Sequence, residues 1–400
     1  MRKHGFLTCL WLAGAVLLGT ASPQVRAQWD VSGYESRQTP IPLGGDRMDQ
    51  GGLFGAAEFL FMHGNRNIGS QLIAVRGFRD SDGSITGTSG SFVGSQRWAL
   101  DTDSFGRTTW VPGFRVTVGY KLEDGSSFSV KWSQLEQARY NTSAGPIPVD
   151  FNTNVSGEDA FLFSPVFGFS PQFSGPQLKL ADANGTPIGS GGSPYGIWNG
   201  ANTMDIKFVE RYSGLDITYR TTSVETDYSR SYATAGGRYA WIWERFSWNT
   251  LSSNYLGQTG SQDLAFYSNV ISQRMYGPFI GVGTDVYLGS AFALGAEVSA
   301  AALYAIVKER AKYELGDEST QSKRSRNEFT IVPNVNASLN LSWFPLANVQ
   351  IRAGYDLWSF FNTIYMNKPV GFNAGAIDPA YNHRPLRLYH GINVGIGLVF

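Results

Sequence analysis

The sequence predicts an all-β fold: a single closed, antiparallel, up-and-down barrel of about twelve strands, within a range of about ten to fourteen, that crosses a membrane. Three observations carry this. Apolar and polar residues alternate with period two over segments long enough to span a bilayer. Long polar connections alternate with short turns along the chain. The composition joins a low charge content, 16% Asp, Glu, Lys and Arg, to 14% aromatic residues and 47 glycines, where an ordinary soluble domain has roughly 25% charged residues.

Composition also excludes several function classes. The 400 residues carry 32 basic and 32 acidic side chains, so the formal charge is zero. A nucleic-acid partner requires a basic excess that displaces counterions from phosphate, and none is expected here. One cysteine, Cys9, rules out a disulfide framework and a cysteine-based metal centre, and four histidines leave little for a histidine cluster. No cofactor and no metal site are expected.

Residues 1–27 read as a Sec signal peptide. Arg2 and Lys3 form a positive start, 6–18 is an apolar run, and Val25-Arg26-Ala27 is a small-residue cleavage site. The run is shorter than the ~20 apolar residues of a spanning helix. Cleavage after Ala27 removes Cys9 together with three basic residues, leaving a slightly acidic mature chain. Residues 28–51 are expected to be a short periplasmic segment and 52–400 the barrel.

The expected strands follow in order: 52–62, 113–121, 127–133, 205–212, 215–221, 232–246, 261–270, 276–288, 292–307, 329–343, 349–361 and 387–400. The clearest is 329–343, where Phe329, Ile331, Val335, Ala337, Leu339, Leu341 and Trp343 alternate with Asn334, Asn336, Ser338, Asn340 and Ser342. A soluble sandwich strand alternates in the same way, but its length is typically about 5–6 residues, against ~9–11 for a tilted membrane strand. Ser213-Gly214 reads as a two-residue hairpin turn. Short turns fall at 122–126, 213–214, 288–291 and 345–348, and long polar connections at 63–110, 138–203, 309–328 and 362–386. Short turns on one side and long loops on the other is the pattern of bacterial outer-membrane barrels, and closure is the only way for a sheet to cross lipid without unpaired backbone groups. On the apolar parity, Tyr120, Trp132, Tyr219, Trp241, Trp243 and Trp343 form the expected aromatic girdles. The last segment alternates up to Ile396, Leu398 and the terminal Phe400, the form of a C-terminal signal read by the barrel assembly machinery.

Several of these segments share motifs. GFRVTVGY at 113–120, GGRYAWIWERF at 236–246, YGPFIGVG at 276–283, IRAGYDLW at 351–358 and GINVGIGLVF at 391–400 follow in order. Together they resemble the bacterial outer-membrane β-barrel porin family that carries the number seven among such numbered families, over roughly residues 50–400. The resemblance implies a barrel in the bacterial outer membrane and does not establish conduction.

If the apolar parity faces lipid, the other faces the lumen. The pore-lining candidates are Glu58, Arg115, Lys131, Lys207, Arg211, Asp216, Arg220, Arg238, Glu244, Glu297, Asn336, Asn340, Arg352 and Asp356. Charges in a membrane protein must meet water or one another, so they either line an aqueous pore or pair across a narrow interior. The functional expectation is a porin-like passive diffusion channel for small hydrophilic solutes. The alternative is a non-conducting structural or adhesive barrel whose loops carry the function, and an exported soluble β-sandwich is a third class. Expected partners are outer-membrane lipid, the assembly machinery and a homo-oligomer. His63, His383 and His390 accompany no Gly-x-Ser-x-Gly element, so the chain is read as having no catalytic site. The acidic pairs Asp101/Asp103 and 314–318 lack the spacing of a calcium loop.

Overall fold

The computed structural model describes residues 52–399, apart from 67, 81–85, 146–160, 169–179, 182–186, 189–196, 222–223, 227, 253–258, 290, 320, 347 and 374–383. The expected signal peptide, the 28–51 segment, His383 and Phe400 lie outside the described residues.

Ten long strands form the barrel: β1 (Gly52–Gly64), β2 (Trp110–Lys121), β3 (Ser127–Ala144), β4 (Thr203–Arg220), β5 (Ser229–Leu251), β6 (Leu264–Gly289), β7 (Phe292–Leu315), β8 (Gln321–Leu346), β9 (Val349–Phe360) and β10 (Arg387–Val399). Each pairs antiparallel with its sequence neighbour, and β1 pairs with β10 from Phe54↔Val399 to Gly64↔Tyr389, which closes the ring. Closure satisfies every edge, as lipid demands.

The alternation read from the sequence is the wall of this barrel. On β8, Ile331 is 64% exposed while its neighbour Val332 is fully buried, and Phe329, Leu339, Leu341 and Trp343 point outward with Ile331. On β6 the outward apolar residues run from Tyr276 to Leu288. At about 3.3 Å per residue and a tilt of roughly 40°, that run is ~30 Å tall, close to the apolar band of such barrels. An aromatic stack crosses four strands at the loop-side edge of the band: Tyr239–Tyr276, Tyr276–Tyr304 and Tyr304–Phe329, with ring centroids 6.3, 6.3 and 6.0 Å apart. Tyr120, Trp132, Tyr219 and Trp343 are exposed on the outer wall, and Trp241 and Trp243 share its parity.

Ten strands fall within the expected range, and two joined segments account for the difference from twelve. Ser213-Gly214 is not a turn. Both residues lie inside β4, which pairs with β3 and β5 along its length. The glycine is there for close approach, because a Cβ at 214 would stand 2.8 Å from the Tyr212 hydroxyl. Residues 264–270 and 276–288 likewise belong to one strand, β6, preceded by a short helical turn over Ser261–Asp263. Proline 278 lacks a donor and its pairing with β7 lapses at 277–278, but the strand resumes at Phe279↔Ala301. Residues 309–328 are mostly strand rather than loop: β7 and β8 continue beyond the apolar band and turn over at 316–320. The short connections, such as 122–126, lie at the opposite end. There Gly125 takes the left-handed φ of 85° that the tight turn requires, and the Leu122 N–H bonds the Ser126 carbonyl at 2.8 Å.

Inside the loop-side half, connections fold inward instead of leaving an opening. Leu72–Arg76 pairs with Trp98–Asp101 and with Leu162–Phe163 in a small sheet. Its Ile73, Ala74, Leu100 and Leu162 join one buried apolar cluster with inward residues of the wall, among them Phe208, Phe246, Trp248, Tyr267 and Tyr313.

Candidate functional site

The interior is layered. At the turn-side end, strand register places Glu58 of β1 directly beside Arg115 of β2. The Arg115 guanidinium donates to Glu58 at 2.7 Å and to Asp356 of β9 at 2.7 Å, so one cation bridges two carboxylates across the strand seam. Asn393 donates to Asp356 at 3.0 Å, and Arg352 lies 3.5 Å from Glu58. Space for this network comes from Gly395, which pairs with both Glu58 and Arg352. A Cβ there would meet the Glu58 Cγ at 2.5 Å.

Arg238 of β5 is the second node. It faces Asp216 of β4 in register and grips it bidentately at 3.0 and 3.1 Å. Its remaining donors reach Asn334 at 2.7 Å and Ser299 at 3.1 Å. A third node joins Arg230 to Asp285 at 3.1 Å, with Arg220 lying over the Tyr232 ring. Between these nodes two cavities of about 130 and 50 Å³ remain, lined by polar and charged groups including Lys131, Glu297, Arg352 and, in the smaller one, Asn336. They have room for several waters.

Above them Tyr212 stacks on Trp358 at 5.0 Å and meets Tyr389 at 5.3 Å. Next comes Arg387, fully buried, with Glu244 at 2.7 Å and Glu210 at 3.2 Å. Tyr389 donates to Glu210. Arg387 thus bridges two carboxylates, and removing it would leave both without their cation at a depth where an unpaired charge is strongly disfavoured.

The loop-side layer is an aromatic and apolar plug. Trp198 packs on Trp248 at 4.5 Å, and Tyr267 on Tyr313 at 4.5 Å. A strap spanning 364–371 runs through it and is held by side chains of the wall and of the first loop. Gln273 of β6 gives and receives one bond each with Ile364, at 2.7 and 3.0 Å. Gln71 does the same with Val370, at 2.8 and 2.9 Å. Tyr267 and Asn269 both donate to the Pro369 carbonyl, and Tyr313 donates to that of Gly371. Each buried backbone group of the strap named here has a partner, as burial requires.

Of the sequence-chosen lumen residues, Glu58, Arg115, Lys131, Asp216, Arg220, Arg238, Glu244, Glu297, Asn336, Asn340, Arg352 and Asp356 are on the inner face, as burial or cavity contact shows. Lys207 and Arg211 are not. They are exposed on the outward parity of β4, and Arg211 lies over the ring of outward Trp243 at 4.9 Å. A bulge between Glu210 and Tyr212, where β4 slips against β3, separates the two strands' patterns. Splitting β4 at 213 is what placed Lys207 and Arg211 inside. Glu210, Arg387 and Tyr389 were absent from the sequence reading. Glu210 alternates with Lys207 and Arg211, so the same parity error hid it.

Among the described residues no group of three or more His, Asp, Glu or Cys is arranged to hold a metal. His63 and His390 lie on the outer wall, bonded to Thr108 at 2.6 Å and Tyr355 at 2.5 Å. Asp101 caps the short helical turn Thr102–Phe105, and Glu314 pairs with Lys312 at 2.6 Å, so both have structural uses.

A family model described as Legionella pneumophila major outer membrane protein precursor matches residues 68–384. No curated protein matches the chain. Among solved structures, the chain is similar to the outer membrane protease OmpT from Escherichia coli, with 9% identity, TM-score 0.37, and 87% of this chain and 97% of that one covered. It is also similar to a mutant of the TodX monoaromatic hydrocarbon channel, with 7% identity, TM-score 0.25, and 88% and 90% covered. A third is a Pseudomonas aeruginosa FadL homologue, with 9% identity, TM-score 0.21, and 88% and 89% covered. The reading of the chain as not an enzyme is corrected by this set, because a protease is among the similar barrels. A likeness of 9% establishes no activity for this chain. The matched family is of the outer-membrane kind that the strand motifs pointed to.

Proposed function

Because the chain belongs to the family described as Legionella pneumophila major outer membrane protein precursor, and so is a β-barrel protein of the bacterial outer membrane, we propose that it is a closed barrel that displays its loops at the cell surface. The observation that carries this is the filled interior. Arg115, Arg238 and Arg387 are each held by one or two carboxylates in successive layers, and the strap through the apolar plug caps them. Barrels of about eight strands are filled by side chains, whereas those of 16–18 hold a channel. Ten strands stand near the filled end.

The porin-like reading draws on one observation, the mixed-charge cavity of about 130 Å³ at the turn-side end. A solute path for small hydrophilic molecules through it requires the strap to leave the lumen. Entry through the assembly machinery is supported by outward Ile396 and Leu398 on the closing strand, with Phe400 two residues further along the sequence. The aromatic face of Phe61, Trp110, His63 and His390 offers a surface for a second copy.

Liposome swelling with arabinose or glucose tests the closed-barrel reading. Vesicles containing refolded protein swell no faster than protein-free vesicles if the lumen is closed. Swelling that rises with protein content would favour the porin.

A further inference from the structure

Arg211, outward on β4, belongs to a wider feature of the outer wall. Above the aromatic stack, outward positions on adjacent strands carry basic residues in register. Arg139 of β3 flanks Val209 of β4, which flanks Arg245 of β5. Arg245 is opposite Val270 of β6, and Val270 is opposite Arg310 of β7. One rung lower, Arg211, Trp243, Ser272 and Lys308 lie side by side. Below that, Arg274 faces Trp241 and Ile306. Arg139, Arg211, Arg245, Arg274 and Arg310 are exposed and Lys308 is half-buried.

Three features separate this belt from an ordinary solvated face. It is one-sided: above the band, outward positions of β9, β10, β1 and β2 carry Leu357, Leu388, His63 and His390, with no Lys or Arg. Among the described residues no carboxylate pairs with Arg211, Arg245, Arg274, Lys308 or Arg310. The nearby acids serve elsewhere or sit at the margin: Glu314 pairs with Lys312, Asp205 accepts from Asn249, and Glu136 is exposed on β3. Height is the third feature. Arg274 is two residues above Tyr276, Lys308 four and Arg310 six above Tyr304, and Arg245 six above Tyr239. These positions lie roughly 5, 10 and 15 Å past the edge of the apolar band at this tilt, and the long side chains of the upper rungs reach back toward the membrane. Headgroups occupy roughly the first 5–8 Å beyond the hydrocarbon. Like charges side by side on a sheet repel, and phosphate oxygens in that layer satisfy arginine forks bidentately.

We propose that this belt on β3–β7 binds the phosphate-bearing headgroup of an anionic lipid of the outer leaflet. The proposal needs only the membrane barrel and is independent of whether the lumen conducts.

The test is a binding titration of the refolded, full-length barrel in detergent, read by native mass spectrometry. The probes are lipid A with two phosphates and the same lipid dephosphorylated. Wild type retains the phosphorylated form and not the dephosphorylated one. Replacing Arg245, Arg274, Lys308 and Arg310 together by Gln weakens retention at least about tenfold, given the few-fold contribution of each cation near an anionic surface. Replacing the three arginines by Lys keeps the charge but loses the forks, so retention falls less than in the Gln form. A heat-modifiable gel band checks that each variant is folded. If the Gln form does not fold, the two probes on wild type and the Lys form decide. Equal retention of both lipids, unchanged binding by a folded Gln form, or displacement of the lipid by equimolar inorganic phosphate would overturn the proposal.

Discussion

Replacing Arg115 with methionine removes the cation that holds Glu58 and Asp356 together. Both contacts are 2.7 Å, and all three side chains are almost wholly buried. Methionine keeps much of the volume, so the loss is electrostatic. Removing one partner of a buried pair destabilises by about 3–5 kcal/mol, because a charge is left uncompensated. Here two carboxylates are left, though Asn393 still donates to Asp356 and Arg352 stands 3.5 Å from Glu58. Waters in the adjoining cavity soften the penalty further, so a loss of about 3 kcal/mol is expected. The assay is urea unfolding of the refolded barrel in detergent, followed by tryptophan fluorescence and by the heat-modifiable gel band. The triple change Arg115→Met, Glu58→Gln and Asp356→Asn is expected to recover most of the loss, since a neutral isostere of a buried pair is often tolerated. A loss below about 1 kcal/mol for Arg115→Met, or no recovery in the triple variant, would refute the pairing argument.

Other outcomes follow from the same geometry. Gln273→Leu strips both bonds from Ile364 and is expected to cost about 2 kcal/mol and to speed amide exchange at Ile364, measured by hydrogen–deuterium exchange; unchanged exchange would contradict the strap. Gly395→Ala drives a Cβ to 2.5 Å from the Ala57 carbonyl and the Glu58 side chain, for an expected loss of about 1–3 kcal/mol in the urea midpoint. Leu339→Arg on the lipid face is expected to cost about 2–4 kcal/mol in the same assay, whereas Leu339→Phe is expected to be near neutral. In the 122–126 turn, Asp124 accepts from the Ser126 hydroxyl at 2.6 Å and its N–H at 2.9 Å, bonds that hold its carboxyl below the usual range. Its contribution is therefore full above the ordinary aspartate pKa of about 3.9 and fades as pH falls through the lowered value. Asp124→Asn should narrow the stability difference between pH 5 and pH 2, read from unfolding midpoints at the two pH values; an unchanged difference would contradict this sign.

The wall was largely legible because period-two patterning is local. Phe329 to Trp343 announces which side faces lipid without any knowledge of neighbours. The turns at 122–126 and 288–291 likewise carry their own glycines. What misled was chemistry with two meanings. Ser213-Gly214 is a turn signal when two strands flank it, but it also suits a strand interior where Tyr212 needs the space of a missing Cβ. The parity of Lys207, Glu210 and Arg211 went wrong with it. The charged stretch 309–328 looked like a loop because it is too polar for lipid, yet backbone pairing continues wherever a neighbouring strand does, as Glu309 facing Arg326 in register shows. The plug was hidden for a different reason. Gln71 and Gln273 meet Val370 and Ile364 across 299 and 91 residues of sequence, and no local pattern marks which loop turns inward.

Whether the lumen is closed is read most directly by single-channel recording of the purified, refolded protein in planar bilayers. The expected trace is a flat baseline without discrete steps, with steps emerging when the strap is released by Gln71→Ala and Gln273→Ala together. Reproducible steps from the wild-type protein would contradict a closed barrel and favour the diffusion channel.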